Sequence, residues 1–359
     1  MINEKRLVDS FLRYVQIDSE SGQEGEFAAA LQNELKEMGI EARKDEAGNL
    51  FFALNGDESA EPLLFTAHMD TVVPGKGIVP ELKDGLITSG GTTVLGGDDK
   101  SGIAALIEAV RVMQEEGIPH RRVEVLFTVE EEIGLNGSRK SDLSQVKSKY
   151  SIALDGCGPM DEIVVNGAGQ ANVQIDIMGV AAHAGNSPEK GVSAVIAAAD
   201  AVSAMKLLKV DEETTANIGT VTADSPSNIV CSHIRMLGEV RSRNPRKLED
   251  QLEHMRSCVE AACRKHGATF EFQANRIYEG YLVEDEAFLG LLRAAYEKMG
   301  MSPRYGVTMV GSDSNVLNQR GLKAVVIPTG MTNPHALSEQ LAVKDLVFTA
   351  ELVLELIRL

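Results

Sequence analysis

Residues 90–106 read GGTTVLGGDDKSGIAAL, a glycine-rich turn that runs straight into apolar residues at helical spacing. The spacing continues through Ile103, Leu106, Ile107, Val110 and Met113 and stops at Gly117, as in a helix closed by a residue of positive φ. Short apolar runs of strand length lie on either side, at residues 63–67 and 123–129. Strand, turn, helix and strand in that order predict an α/β sheet. The Lys100-Ser101 pair in the turn invites comparison with a phosphate-cradling loop, which needs glycine immediately before the lysine. Asp99 stands there instead, preceded by Asp98. Two carboxylates repel a phosphate and attract a cation, so a nucleotide-binding enzyme is left as a remote alternative.

Working outward, further helical spacing appears at Phe27, Leu31 and Leu35 before Gly39, and at Phe288, Leu291, Leu292 and Ala295 before Gly300. Further strand-length runs lie at 151–154 and 324–328. The middle of the chain differs. Val173, Ile175 and Ile177 alternate with polar or flexible residues, and a helix is predicted over about 192–208. Two strand-like runs at 217–222 and 232–241 follow, then a helix carrying Leu248, Leu252, Met255 and Val259, then the alternating ATFEFQAN. The order β-α-β-β-α-β describes a two-layer unit, inserted at 171–280 into an α/β domain formed by 1–170 and 281–359.

With 359 residues, 43% hydrophobic and 25% charged, the chain is long enough for two globular domains. Thirty-five basic against 53 acidic residues give a net charge of −18, which argues against nucleic acid or an anionic membrane as partner. The N-terminal MINEKRLVDSFLRYVQ has charges scattered through its apolar positions, and no later run approaches a membrane span. A cytoplasmic protein is the expectation. Cys157, Cys231, Cys258 and Cys263 form no CxxC pair and are read as small buried apolar residues without disulfides.

Acids and histidines follow one predicted strand after another. The run 63–67 leads into His68-Met69-Asp70, 123–129 into Glu130-Glu131-Glu132, 151–154 into Asp155, and 324–328 is soon followed by His335. Ligands of open α/β sheets bind beyond the carboxyl ends of the strands, so these residues are expected to converge with Asp98 on one crevice. Three carboxylates (Asp98, Glu132, Asp155) and two imidazoles (His68, His335) repel themselves unless cations neutralise them. Two divalent ions bring four positive charges against three negative, and the donor set suits Zn²⁺, Mn²⁺ or Co²⁺. For two ions to sit ~3.5–4 Å apart, one carboxylate must bridge, and the loop aspartate is the natural one. Each residue also has an ordinary reading: a lone histidine is usually a surface or satisfied core residue, and EEE a solvated face. The joint pattern is what accident does not supply.

AHMDTVVPG, GGDDKSG, FTVEEEIGLNGS, ALDG and NPHALSE resemble, in that order, the metal-site motifs of the M20 family of dinuclear metallopeptidases. LGGDDKSGIAAL is similar to the peptidase T group within it, whose members are tripeptide aminopeptidases. The resemblance spans essentially the whole chain. It implies a mixed-sheet catalytic domain of the zinc-exopeptidase kind with an inserted two-layer lid. It also implies two divalent ions, zinc foremost, a short peptide substrate and a homodimer formed through the lid.

By the same resemblance Asp98 bridges the ions, and Asp99 occupies a position where members often carry a cis peptide. His68 and Asp155 bind one metal apiece, His335 shares the ion of Glu132, Glu131 is the base, and Asp70 orients the His68 imidazole. His183, in GVAAHAGNSPEKG, matches the lid histidine that supports the oxyanion. Asn228, in SPSNIVC, and Arg241, in GEVRSRN, match the lid residues that hold the substrate terminus. Peptidase T proper is longer, a departure that bears on specificity rather than on metal chemistry. Two alternatives stay open: an amidohydrolase that deacylates N-acyl amino acids at the same site, and a metal-binding relative without catalysis, which the presence of Glu131 disfavours.

Overall fold

Four apolar segments, buried almost throughout, pair as parallel strands in the computed structural model, which describes residues 1–358. Leu63–His68 lies between Val123–Thr128 and Tyr150–Gly156, and Lys323–Pro328 pairs with the latter. Strands covered on both faces read as continuous apolar runs, which is why they were legible as such. Leu50–Leu54 adds antiparallel to Val123–Thr128, so the nine-stranded sheet is mixed. The register sets His68 opposite Thr128 and Pro328 opposite Gly156. All four parallel strands therefore end along one edge.

The helix Gly97–Glu115 follows the glycine-rich turn, but Asp98 (φ −82°, ψ 103°) and Asp99 (φ −121°, ψ 32°) are not helical, and regular geometry starts at Lys100. The Asp98–Asp99 peptide is cis. One glycine fixes the depth of this helix: a Cβ on Gly102 would lie 2.3 Å from the Leu154 carbonyl oxygen. Its absence lets the helix settle on the strand that carries Asp155. The Lys100 ammonium donates to the Ile17 carbonyl at 2.8 Å and lies 4.8 Å from the Phe27 ring centroid, while Ser101 Oγ bonds Thr329 Oγ1 at 2.8 Å. Both side chains are spent inside the protein rather than on a phosphate.

The chain divides into two compact units, one of Met1–Asn166, Leu282–Val307 and Ser312–Leu359, the other of Gly167–Tyr281 and Thr308–Gly311. The second unit is an antiparallel five-stranded sheet. It contains Gly169–Met178, Thr214–Thr222, His233–Ser242 and Thr269–Tyr278, with the two-residue Leu208–Lys209 at one edge. Val173, Ile175 and Ile177 point into a core shared with Ala194, Ala197 and Ala201 of one helix and Leu248, Met255 and Val259 of the other. The helix expected over 192–208 is shorter, Ala194–Ala204, and starts where the Ser193 side chain accepts from Ile196 N–H.

A small antiparallel sheet of Pro80–Lys83, Leu86–Ser89, Gln340–Ala342 and Met331–Thr332 escaped the sequence. The last two form a hairpin whose loop carries His335. The expectation of four buried cysteines is corrected: Cys157 is exposed, Cys231 and Cys258 are intermediate and only Cys263 is buried, all of them free. No helix among the described residues is long and apolar enough to cross a membrane.

Candidate active site

The first unit brings together all five expected ligand residues along the carboxyl edge of its sheet. His68 ends its strand, Asp155 lies one residue before the end of its own, and Asp98 projects from the non-helical turn before Lys100. His335 is presented by its hairpin loop with φ of 64°. Ligand-type atoms of His68, Asp98 and Asp155 lie within 4.8 Å of one another, as do those of Asp98, Glu132 and His335 and those of His68, Glu131 and Glu132.

Asp98 joins the first two groups through different oxygens. Its Oδ1 is 2.9 Å from His68 Nε2, and its Oδ2 is 3.2 Å from His335 Nε2. Asp155 Oδ1 is 3.6 Å from His68 Nε2, and Glu132 Oε1 is 2.9 Å from His335 Nε2. That Glu132 oxygen is buried and makes no aligned hydrogen bond, which leaves a lone pair for a cation. One carboxylate shared between two imidazole-and-carboxylate sets fits a pair of divalent ions.

The electrostatics agree with that fit. Burial opposes charge on the His68 imidazole, yet Asp155, Asp70 and Asp98 raise its pKa well above the ordinary value. Asp98, then Glu132, push His335 up to about 10. Burial pushes Asp155 up to about 7, with His68 opposing and the Asp98 charge adding. Burial likewise lifts the Glu131 carboxyl far above the carboxylate range, against the pull of His68 and with Asp155, Asp313 and Glu132 adding. Asp155 and Glu131 thus resist ionising chiefly because they are buried, with neighbouring negative charge adding, whereas the His335 and His68 imidazoles outweigh burial at Asp98 and hold its pKa low; a bound cation relieves the first condition.

Backbone N–H groups hold the acidic turn in place. Val129 N–H donates to Asn49 Oδ1 at 3.1 Å and Glu130 N–H to Glu24 Oε1 at 3.0 Å. Glu131 and Glu132 N–H donate to the two oxygens of Asp70 at 3.0 and 3.2 Å. Asp70 also accepts from Ser21 Oγ at 2.7 Å. The His68 ring donates Nδ1–H to the Asp70 carbonyl oxygen at 3.0 Å, with the carboxylate at 3.5 Å. Asp70 therefore steadies the imidazole largely through its backbone and spends its carboxylate on the turn of Glu131 and Glu132.

Two buried acids without an expected role act in the same way. Asp99 accepts from His68 N–H at 3.1 Å and Gly102 N–H at 3.2 Å. Glu339 accepts from the N–H groups of Leu95, Gly96 and Asp98. Nothing in their residue type separates them from surface acids: the sequence marks Asp99 only as the neighbour of Asp98 in GGDDKSG and Glu339 only as the last residue of NPHALSE.

His183, Asn228 and Arg241 all belong to the second unit. His183 is exposed. Its Nδ1 accepts from Gly185 and Asn186 N–H at 3.2 and 3.0 Å, which places the ring proton on Nε2 and leaves that edge a donor. Ala184 N–H bonds the Asn228 carbonyl at 2.9 Å, so His183 and Asn228 are neighbours in the backbone. Arg241 is half-buried and held by Glu239 through two bonds of 2.9 and 3.1 Å and by the Met309 carbonyl at 3.1 Å.

The model of peptidase family M20/M25/M40 matches residues 64–359. The chain belongs to this family. Uncharacterized protein YqjE of Bacillus subtilis (strain 168) is 39% identical to this M20 peptidase over 99% of each chain. The crystal structure of aminopeptidase PepT from Bacillus cereus ATCC 10987 superposes with a TM-score of 0.93 at 40% identity, covering 99% of this chain and 98% of that one. That of a tripeptidase from Staphylococcus aureus subsp. aureus Mu50 gives 0.97 at 35%, covering 100% and 98%. This M20 peptidase is a peptide-cleaving metallo-exopeptidase with the mixed α/β fold of its family.

Proposed function

We propose that the protein is an aminopeptidase of di- and tripeptides, working with two divalent ions shared across Asp98, zinc foremost and manganese or cobalt as substitutes. The observation that carries the reading is the placement of the two Asp98 oxygens, one toward His68 and the other toward His335. His68 and Asp155 complete one donor set, and Glu132 and His335 complete the other. Bound there, two such ions supply Lewis acidity toward a water molecule and the scissile carbonyl. Glu131 accepts the proton the attacking water sheds and returns it to the departing amine nitrogen. Its burial suits that task, because a carboxyl lifted toward neutrality both takes and gives a proton. Asp70 keeps Glu131 and Glu132 in register through their backbone N–H groups.

His183, with its proton on Nε2, donates to the oxyanion. Asn228 and Arg241, the latter oriented by Glu239, hold the far end of the peptide. A homodimer through the second unit belongs to the same reading. Val195 and Ile196 on the Ala194–Ala204 helix are 45% and 55% exposed, an apolar face that favours a partner surface.

A single screen tests the substrate assignment: metal-loaded protein against free tripeptides, their N-acetylated forms and N-acyl amino acids. Hydrolysis confined to peptides with a free amine is the expected result. Turnover of the N-acyl amino acids alone would instead make the protein an amidohydrolase.

A further inference from the structure

We infer that Glu339 is the positioning residue that sets the bridging carboxylate of Asp98, by tying the turn that carries Asp98 to the loop that carries His335. The inference rests on the two-ion reading above.

Glu339 is 1% exposed, and a buried carboxylate is tolerated only where its lone pairs are met. They are met by one short stretch of backbone. Oε2 accepts from Leu95 N–H at 2.7 Å and Gly96 N–H at 2.9 Å, and Oε1 accepts from Asp98 N–H at 3.0 Å. At its other end, Glu339 N–H donates to the Ala336 carbonyl at 2.9 Å, closing the turn just after His335. The glycines complete the device. Gly96 has φ of 70°, and a Cβ on Gly97 would lie 3.0 Å from Glu339 Oε1, so a side chain there would crowd the carboxylate against this backbone.

Charge argues that the arrangement serves geometry. A further acid beside Asp98, Glu132 and Asp155 adds repulsion, and Glu339 belongs to none of the ligand groups. What it supplies is the direction of the Asp98 main chain. Metal–ligand distances are acceptable within only ~0.2 Å, so a bridging carboxylate that faces two donor sets is the ligand least tolerant of a tilt. Groups that orient ligands typically contribute ~10–100-fold in metal affinity.

The test uses the full-length protein with Zn²⁺ and, for spectroscopy, Co²⁺. Glu339→Gln keeps the side-chain shape but turns an N–H donor against at least one backbone N–H. We expect one of two Zn²⁺ equivalents to bind ~10–100-fold more weakly in competition with a chromophoric chelator, and the visible spectrum of the Co²⁺ form to change. Unaltered affinities and spectrum, even with a lowered melting temperature, would reduce Glu339 to a structural residue and overturn the inference. Should Glu339→Gln not fold, Gly97→Ala sets a Cβ 3.0 Å from Glu339 Oε1, the oxygen that accepts from Asp98 N–H, and must weaken the same ion; wild-type affinity in that variant also overturns it. Uptake of fewer than two equivalents by the wild-type protein would overturn the two-ion reading itself.

Discussion

At the scale of single residues, carboxylates at this site do three different jobs that the sequence writes with the same letters. In the proposed mechanism Asp98, Glu132 and Asp155 offer oxygens to a cation and Glu131 handles a proton, while Asp70, Asp99 and Glu339 accept backbone N–H groups. Glu131→Gln separates the second job from the first. It removes the proton acceptor and leaves the main chain bonded to Asp70, so kcat should fall ~10²–10⁴-fold while metal analysis still finds two equivalents; turnover within a few-fold of wild type would remove Glu131 from the base role. The expected ligands His68, Glu132 and Asp155 were legible because they lie at or just beyond the ends of buried strands, where α/β sheets build sites, and Asp98 because its glycine-rich turn opens a helix. Asp99 and Glu339 were not, because their partners are main-chain atoms brought close only by the fold.

At the scale of elements, the parallel strands and the helix Gly97–Glu115 were readable from apolar runs and helical spacing, since both are buried in the way their periodicity records. The hairpin presenting His335 was not readable, as strands of two and three residues carry too few side chains to show alternation. A glycine-to-alanine change inside a helix ordinarily stabilises by up to ~1 kcal/mol. At Gly102 the new Cβ would meet the Leu154 carbonyl oxygen at 2.3 Å and Leu154 Cβ at 2.8 Å, contacts that a backbone cannot yield. Gly102→Ala should therefore destabilise by roughly 1–3 kcal/mol, read as a lowered urea midpoint at unchanged m-value.

In the second unit, burial works against ionising Asp176, but hydrogen bonds from Arg235, Gln174 and His233 hold its pKa below the ordinary value. A carboxylate depressed on folding contributes stability above the unfolded pKa, ~3.9, and loses it as pH falls through the folded value. Asp176→Asn should thus lower the melting temperature of this unit at neutral pH and flatten its decline below about pH 4. A variant that tracks wild type across both limbs would show that the cluster contributes nothing.

At the scale of the molecule, the division into two units separates two kinds of stability. The second holds its own apolar core between one sheet and two helices, and among the described residues no ligand group lies in it. The first gathers the groups able to hold a metal from segments around 68, 98, 132, 155 and 335, which only the folded chain brings within reach of one another. Cations that bind such a site bind the native state and not the unfolded one, and so stabilise it by ~2.7 kcal/mol at a hundredfold excess over Kd and ~4.1 at a thousandfold. Such cations would also offset the burial that lifts Asp155 to about 7 and take over the carboxylates that lift His335 to about 10. Chelation should consequently act locally in the chain. Hydrogen exchange of the protein stripped with EDTA should quicken at residues 68–70, 95–99, 129–135 and 335–339, the backbone stretches that Asp70, Asp99 and Glu339 hold, and stay unchanged in Gly169–Met178 and Pro245–His266. Re-addition of Zn²⁺ should restore the protection. Equal loss in both units would mean that metal governs global unfolding, whereas no loss at 95–99 would mean that the bridging turn is rigid without its ions.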